Sequence, residues 1–158
     1  MDNEFQGMKL LILGGMRISC EIIHKAKSMG IYTIVADYNK IEDSPGKKIA
    51  DEHFLVSTID VDEIVKLIKE QEINGVMVGF NDFMLPYYAE ICKKSGLPSY
   101  GTKEQFDIFT NKGIYKKLCR KYNVPTVEEY SINQILNGKL DDELSFPVLV
   151  KPTDSSGA

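Results

Sequence analysis

Cysteine, histidine and long apolar runs are all scarce in this chain, and each scarcity removes a class of function. There are three cysteines in 158 residues, Cys20, Cys92 and Cys119. They are far apart, odd in number and form no CxxC or zinc spacing, so a disulfide framework and a zinc ribbon are excluded. Each falls in an apolar helical stripe and reads as a reduced core thiol, which points to a cytoplasmic protein. The two histidines, His24 and His53, have no metal or triad partner at a meaningful spacing. The longest apolar runs, such as Leu10-Leu-Ile-Leu13, are far too short to span a bilayer. The first seven residues are polar and acidic, unlike a secretory leader. No basic excess is present, since the net charge is −4, so neither nucleic acid nor a membrane is expected as partner. There is no internal repeat and no low-complexity segment.

What is present is a core-forming alternation of elements. Apolar residues make up 43% of the chain. Residues 8–14 read as a buried parallel strand closed by glycine. After the Gly14-Gly15 turn, Ile18, Ile22, Ala26 and Met29 mark one stripe of a helix that stops at Gly30. Residues 31–36 form a second strand ending at Asp37, and 53–56 a third. Asp60 caps the next helix, with Glu63 at the capping-box position and Val61, Ile64, Val65 and Ile68 on its apolar face. Residues 73–80 form a fourth strand. The helix after it carries Leu85, Tyr88, Ala89 and Cys92 and ends at Gly96. Strands alternating with helices at these spacings predict an α/β fold, a Rossmann-like doubly wound parallel sheet. Its functional loops lie at the C-terminal strand ends, at Gly14-Gly15, at Asp37 and from Gly79 to Asp82.

The pattern changes after about residue 100. Helices are expected over 103–109 and 112–122, a strand over 126–130, a short helix over 131–138, an exposed acidic loop over 139–145 and a closing strand over 147–151. The expected organisation is a domain over 8–102 and the beginning of a second over 103–158.

Several residues suggest chemistry. Lys151 ends an apolar strand and is followed by Pro152 and then Asp154-Ser-Ser-Gly157. A lysine there can place a point charge on a polyphosphate. Ser155, Ser156 and Gly157 can add hydroxyl and backbone N–H donors. The structural alternative is a strand end followed by a surface turn. Lys112 opens a helix whose segment 112–121 holds five basic residues and no acid. A solvated face accounts for most of them, but a cation at a helix N-terminus opposes the macrodipole, and an anion nearby would compensate. On the sheet edge, Gly14 and Gly15 can receive an anion through backbone N–H groups. Asp37, Asn81 and Asp82 line the same edge. Each has a structural alternative: Gly15 as a tight turn, Asp37 as a strand-end turn residue, Asp82 as a helix N-cap.

Taken in order, Leu11-Ile-Leu-Gly-Gly15, Gly79-Phe-Asn-Asp82, Gly96-Leu-Pro-Ser-Tyr-Gly101, Asn111-Lys112, Asn123-Val-Pro-Thr126 and Phe146-Pro-Val-Leu-Val-Lys-Pro152 resemble the N-terminal part of ATP-grasp ligases. The branch is that of carbamoyl phosphate synthase and biotin carboxylase. The resemblance covers essentially the whole chain and implies a pre-ATP-grasp domain followed by the start of an ATP-grasp subdomain. It implies ATP and Mg²⁺ as cofactors, with Lys112 and Lys151 on the phosphates and the loop Asp154–Gly157 over them. Asn111 departs from the usual aspartate. The adenine hinge, the magnesium carboxylates and the acyl-phosphate site are expected beyond Ala158, so this chain alone should be inactive. The implied enzyme joins a small carboxylate, or bicarbonate, to an amine through an acyl-phosphate, with a homodimer through the N-terminal sheet domain expected by analogy.

Two rivals remain. A nicotinamide-binding protein would also show strand, Gly-Gly turn, helix, strand and then an acid at Asp37. The turn reads Gly14-Gly-Met-Arg-Ile-Ser19, however, and lacks G-x-G-x-x-G. A small-ligand-binding or dimerising regulatory domain would need only the sheet.

Overall fold

A computed structural model describes residues 5–138 and 146–150. It contains two compact units that divide after Asp107. The first is an α/β unit with four parallel strands. They are β1 (Lys9–Leu13), β2 (Tyr32–Asp37), β3 (Glu52–Leu55) and β4 (Gly75–Met77), in the order β3-β2-β1-β4. Each chain segment leaving a strand returns parallel to it, so helices must cross over the faces. These are α1 (Ser19–Ser28), α2 (Pro45–Ile49), α3 (Val61–Glu70) and α4 (Leu85–Ser95).

The strand period of two sends alternate side chains to opposite faces. Leu11, Leu13, Ile34 and Ala36 face α3 and α4, where they meet Ile64, Leu67, Ile68, Tyr88, Ile91 and Cys92. Ile12 and Val35 face the other way, against Ile23 of α1, with Ile22, Ile49 and Ala50 around them. Both faces of β1 and β2 are therefore dry, which is why Leu10–Leu13 and Ile34–Ala36 read as apolar runs, while buried Thr33 is satisfied by Asp51. Asp60 caps α3 by accepting the Glu63 N–H at 3.2 Å. Gly96, at φ +69°, ends α4 in the left-handed conformation that glycine favours. The doubly wound sheet expected from the sequence is thus present. Among the described residues no helix is long and apolar enough to cross a membrane.

Several local expectations need correction. The fourth strand is three residues, not eight. Ile18 lies before α1 and is exposed, while Ile23 takes the core position. The segment between β2 and β3 holds a 3₁₀ turn, Ile41–Asp43, and the short α2. No strand forms over 126–130 or 148–150, since neither stretch has a ladder partner among the described residues. Lys151 lies outside the described residues.

Two contacts fasten the edges of the sheet. Before β3, the Asp51 carboxylate accepts the Thr33 N–H at 2.9 Å and its hydroxyl at 2.7 Å, and pairs with Lys27 of α1 at 2.9 Å. At the opposite ends of the strands, the Gly15 carbonyl accepts the Gly46 N–H at 2.8 Å. The two backbones pass so closely that a Cβ on Gly46 would sit 2.9 Å from the Gly15 Cα, and a Cβ on Gly15 would collide with the Ser44 hydroxyl.

The second unit contains α6 (Lys112–Lys121) and α7 (Ile132–Leu136), with α5 (Lys103–Thr110) running across the division. Lys116 and Arg120 of α6 both pair with Glu129, at 3.0 and 2.6 Å. These pairs hold the 126–130 segment against the helix in place of a ladder.

Burial alone would raise the Asp51 carboxyl, but Lys27 and the Thr33 donors outweigh it and hold the group below the usual carboxylate range. A carboxyl depressed in the folded state stabilises above its unfolded pKa, and that contribution disappears as pH falls through the folded value. The urea midpoint of Asp51→Asn should fall below wild type at pH 7, and the gap should close toward pH 3. The Gly15→Ala variant should lose about 1–3 kcal/mol by urea denaturation, from overpacking against Ser44 and Asp37. Gly75→Ala should lose less, because its nearest neighbour is the Leu10 Cδ1 at an ordinary 3.6 Å.

Candidate functional site at the switch point of the sheet

Strand order reverses between β1 and β4: β1 continues to β2 on one side, and β4 is added on the other. In open α/β sheets the loops leaving such a pair diverge to opposite faces and leave a crevice at their C-terminal ends. Gly14 and Gly15 follow β1 directly. Val78, Gly79, Phe80, Asn81 and Asp82 follow β4, whose Met77 pairs with Ile12. The sequence-derived edge residues are therefore at the ends of adjacent strands, with Asp37 one strand further along.

Around Gly15 the edge is a closed polar knot. The Gly14 N–H donates to the Ala36 carbonyl at 2.8 Å, and the Gly15 N–H donates to Asp37 Oδ2 at 2.7 Å. These N–H groups, expected from the sequence to receive an anion, are donors within the fold. The same Oδ2 accepts the Ser44 hydroxyl at 3.2 Å, and Oδ1 accepts the Asn39 N–H at 2.8 Å. Asp37 is 3% exposed, so its carboxylate has donors on both oxygens and no open edge. The nicotinamide fingerprint needs that acid free for a ribose hydroxyl. Here it holds the loop of its own fold.

Beneath it lies Lys47, 2% exposed, on α2. Its ammonium donates to the Asp37 carbonyl at 2.7 Å and to the Asn39 carbonyl at 2.6 Å. Burial pushes the Lys47 ammonium below the usual lysine range, with the Asp37 charge opposing that shift. Sequence analysis missed Ser44 and Lys47. The sequence signal is faint: Ser-Pro-Gly-Lys-Lys looks like a surface turn, although Pro45 and Gly46 mark a helix start packed against another backbone.

The β4 side of the crevice is open. Phe80 has φ +57°, unusual for an aromatic residue, and is 75% exposed. Gly79 passes against the Ile22 side chain of α1, where a Cβ would collide. Asn81 and Asp82 begin the 3₁₀ turn Asp82–Met84 that leads into α4. Asp82 is exposed and makes no N-cap, the alternative weighed from the sequence. The Tyr100 hydroxyl donates to the Val78 carbonyl at 2.7 Å, and its ring stacks on Tyr88 with centroids 4.3 Å apart. That bond fixes the end of β4 and accounts for the tyrosine in Gly96–Gly101.

In the second unit, Lys112 is the first residue of α6. Asn111 caps the helix by accepting the Ile114 N–H at 3.0 Å, a bond its side-chain carbonyl makes as an aspartate would. Lys151, Ser155, Ser156 and Gly157 lie outside the described residues. No group of three or more His, Cys, Asp or Glu that could hold a metal occurs among the described residues.

No family model matches the chain. Curated proteins and solved structures do. The small subunit of 2-oxoglutarate carboxylase from Hydrogenobacter thermophilus is 26% identical over 94% of this chain and 34% of its own length. The biotin carboxylase domain of the H. thermophilus 2-oxoglutarate carboxylase, a dimer solved with MgADP, ADP and bicarbonate, superposes with a TM-score of 0.73 at 24% identity. That match covers 94% of this chain and 35% of the domain. A formate-dependent phosphoribosylglycinamide formyltransferase from Prochlorococcus marinus is 26% identical over 97% of this chain and 39% of its length. A phosphoribosylglycinamide synthetase structure from Anaerococcus prevotii gives a TM-score of 0.68 at 29% identity over 93% of this chain and 37% of that one. The chain thus spans little more than a third of the proteins it matches. These relatives are ATP-grasp ligases, and this chain matches their N-terminal part, as its motifs implied.

Proposed function

We propose that this chain supplies the first domain, and the opening of the ATP-binding subdomain, of an ATP-dependent carboxylate–amine ligase. The observation that carries this reading is the extent of the match: 93–97% of this chain corresponds to the front part of each of three different ligases. The reaction class is activation of a carboxylate or bicarbonate as an acyl-phosphate, followed by attack of an amine.

The division of labour follows from the chemistry of the parts. The sheet edge holds the small substrate, between the Gly14-Gly15 turn on one side and Asn81 and Asp82 on the other. Asp37 serves there by holding Gly15 rather than by touching the ligand. Lys112 places a positive charge at the start of α6, where a polyphosphate gains from both the ammonium and the helix dipole. Lys151 adds a second charge, and Ser155, Ser156 and Gly157 add donors over the same oxygens. Phosphoryl transfer gains most from such prearranged charge. Mg²⁺ would neutralise the phosphate oxygens when bound, and this chain's described residues offer no acidic cluster to hold it. Lysine charge is therefore its own contribution to the nucleotide.

Calorimetric titration with MgATP, of this chain and of the longer ligase that contains it, tests the reading. The longer protein should bind, this chain should bind at least about tenfold more weakly, and Lys112→Ala or Lys151→Ala should each weaken the longer protein about tenfold, as expected for losing one charge-assisted bond. Equal affinity of the two forms would place a complete nucleotide site within these 158 residues and refute the split site. No binding by either would favour a regulatory sheet domain.

A further inference from the structure

Lys47 plays no part in the ligase reading, yet it is the most deeply buried cation among the described residues. An ammonium buried at 2% exposure is costly to the fold unless its donors are used. Two of the three are spent on the Asp37 and Asn39 carbonyls, just where β2 ends and its ladder stops supplying partners. The third source of compensation is charge. The buried Asp37 carboxylate belongs to the same turn, and its attraction works against the loss of proton that burial favours. That carboxylate in turn holds the Gly15 N–H and the Ser44 hydroxyl, and the Gly15 carbonyl holds the Gly46 N–H one residue before Lys47. The circuit therefore closes on itself: Gly15, Asp37, Ser44, Gly46, Lys47 and back to Asp37.

A hydrophobic residue of similar length would fill the same space without a desolvation penalty. It would leave two strand-end carbonyls unpaired and the Asp37 carboxylate without a buried counter-charge. The consequence would fall on the backbone that the carboxylate grips: the Asn39 N–H in its own loop and, across to the neighbouring strand end, the Gly14-Gly15 turn. We infer that Lys47 is a positioning residue, a latch on the far side of Asp37 that fixes the Gly14-Gly15 wall of the crevice between β1 and β4. Resting on the ligase reading above, the inference assigns to Lys47 an effect on the small substrate held at that wall and none on ATP.

The test is amide hydrogen exchange on the chain itself, followed by kinetics on the whole ligase. Lys47→Met should speed exchange at Gly15 at least tenfold more than at Ile12, which lies within β1 two residues before the turn. Ser44→Ala, a milder change that keeps both charges, should give a smaller local effect at the same amide. Adding Asp37→Asn to Lys47→Met should recover part of the lost thermal stability, because the unpaired carboxylate is gone. An equal rise in exchange across β1, unchanged protection at Gly15, or a double variant less stable than the sum of its parts would each overturn the latch. In the whole enzyme, Lys47→Met should raise KM for the small substrate several-fold while leaving KM for ATP unchanged. Loss of protection at Gly15 with an unchanged substrate KM would instead overturn the assignment of the crevice to that substrate and leave the latch intact.

Discussion

The carboxylate of Asp37 is the constraint on which the C-terminal edge of the sheet depends. Parallel strands end with unpaired backbone groups just where their loops must diverge, and a fold must satisfy those groups without filling the crevice that results. Here one carboxylate does so from below. It holds the Gly15 N–H after β1 and the Asn39 N–H after β2, and it takes the Ser44 hydroxyl ahead of α2. Because its charge is buried, the arrangement needs a buried cation close by, and Lys47 supplies it while satisfying the carbonyls of the same turn. Glycine at positions 15 and 46 follows as a requirement, since the two backbones meet where no Cβ fits.

That order of dependence bears on which chemistry the edge can perform. A strand-end acid in a nucleotide-binding sheet can face outward to a ribose or inward to its own loop, but a buried carboxylate with three internal donors cannot do both. Turning Asp37 inward removes the nicotinamide geometry and leaves a rigid wall on the β1 side. The β4 side is built differently. Val78 is fastened from behind by Tyr100, and the chain then runs through a left-handed Phe80 to Asn81 and Asp82. In the proposed ligase, the fixed Gly15 side would position the small substrate and the exposed Phe80–Asp82 side would discriminate it.

The sheet was legible in the sequence because β1 and β2 are buried on both faces, and burial of that kind leaves short apolar runs bounded by turn residues, such as Leu10–Leu13 before Gly14-Gly15 and Ile34–Ala36 before Asp37. α3 was legible for a different reason, since the Asp60 cap and the apolar positions at 61, 64, 65 and 68 agree with each other. What could not be read were the features made by contact between distant segments. Lys47 looks like any surface lysine until α2 places it under Asp37. The apolar stripe of α1 misassigned Ile18 because the helix begins only at Ser19, after a turn in which the Ser19 N–H donates to the Met16 carbonyl at 2.9 Å. The 126–130 segment has the composition of a strand but no ladder partner among the described residues, and Glu129 is committed to Lys116 and Arg120 instead.

The same distinction separates the basic residues of α6. Lys116 and Arg120 lie one turn apart on the helix and share a single carboxylate, which accounts for their charge locally. Lys121 lies over the ring of Tyr122, 5.5 Å from its centroid. Lys112 is set apart by position. It stands in the first turn, where the helix contributes positive potential and where Asn111 already spends its side chain on the Ile114 N–H. A cation there is unfavourable to the isolated helix and favourable only in the presence of an anion. The opening charge at Lys112 runs against the dipole, and the proposed phosphate contact would supply a compensating anion at the helix N-terminus.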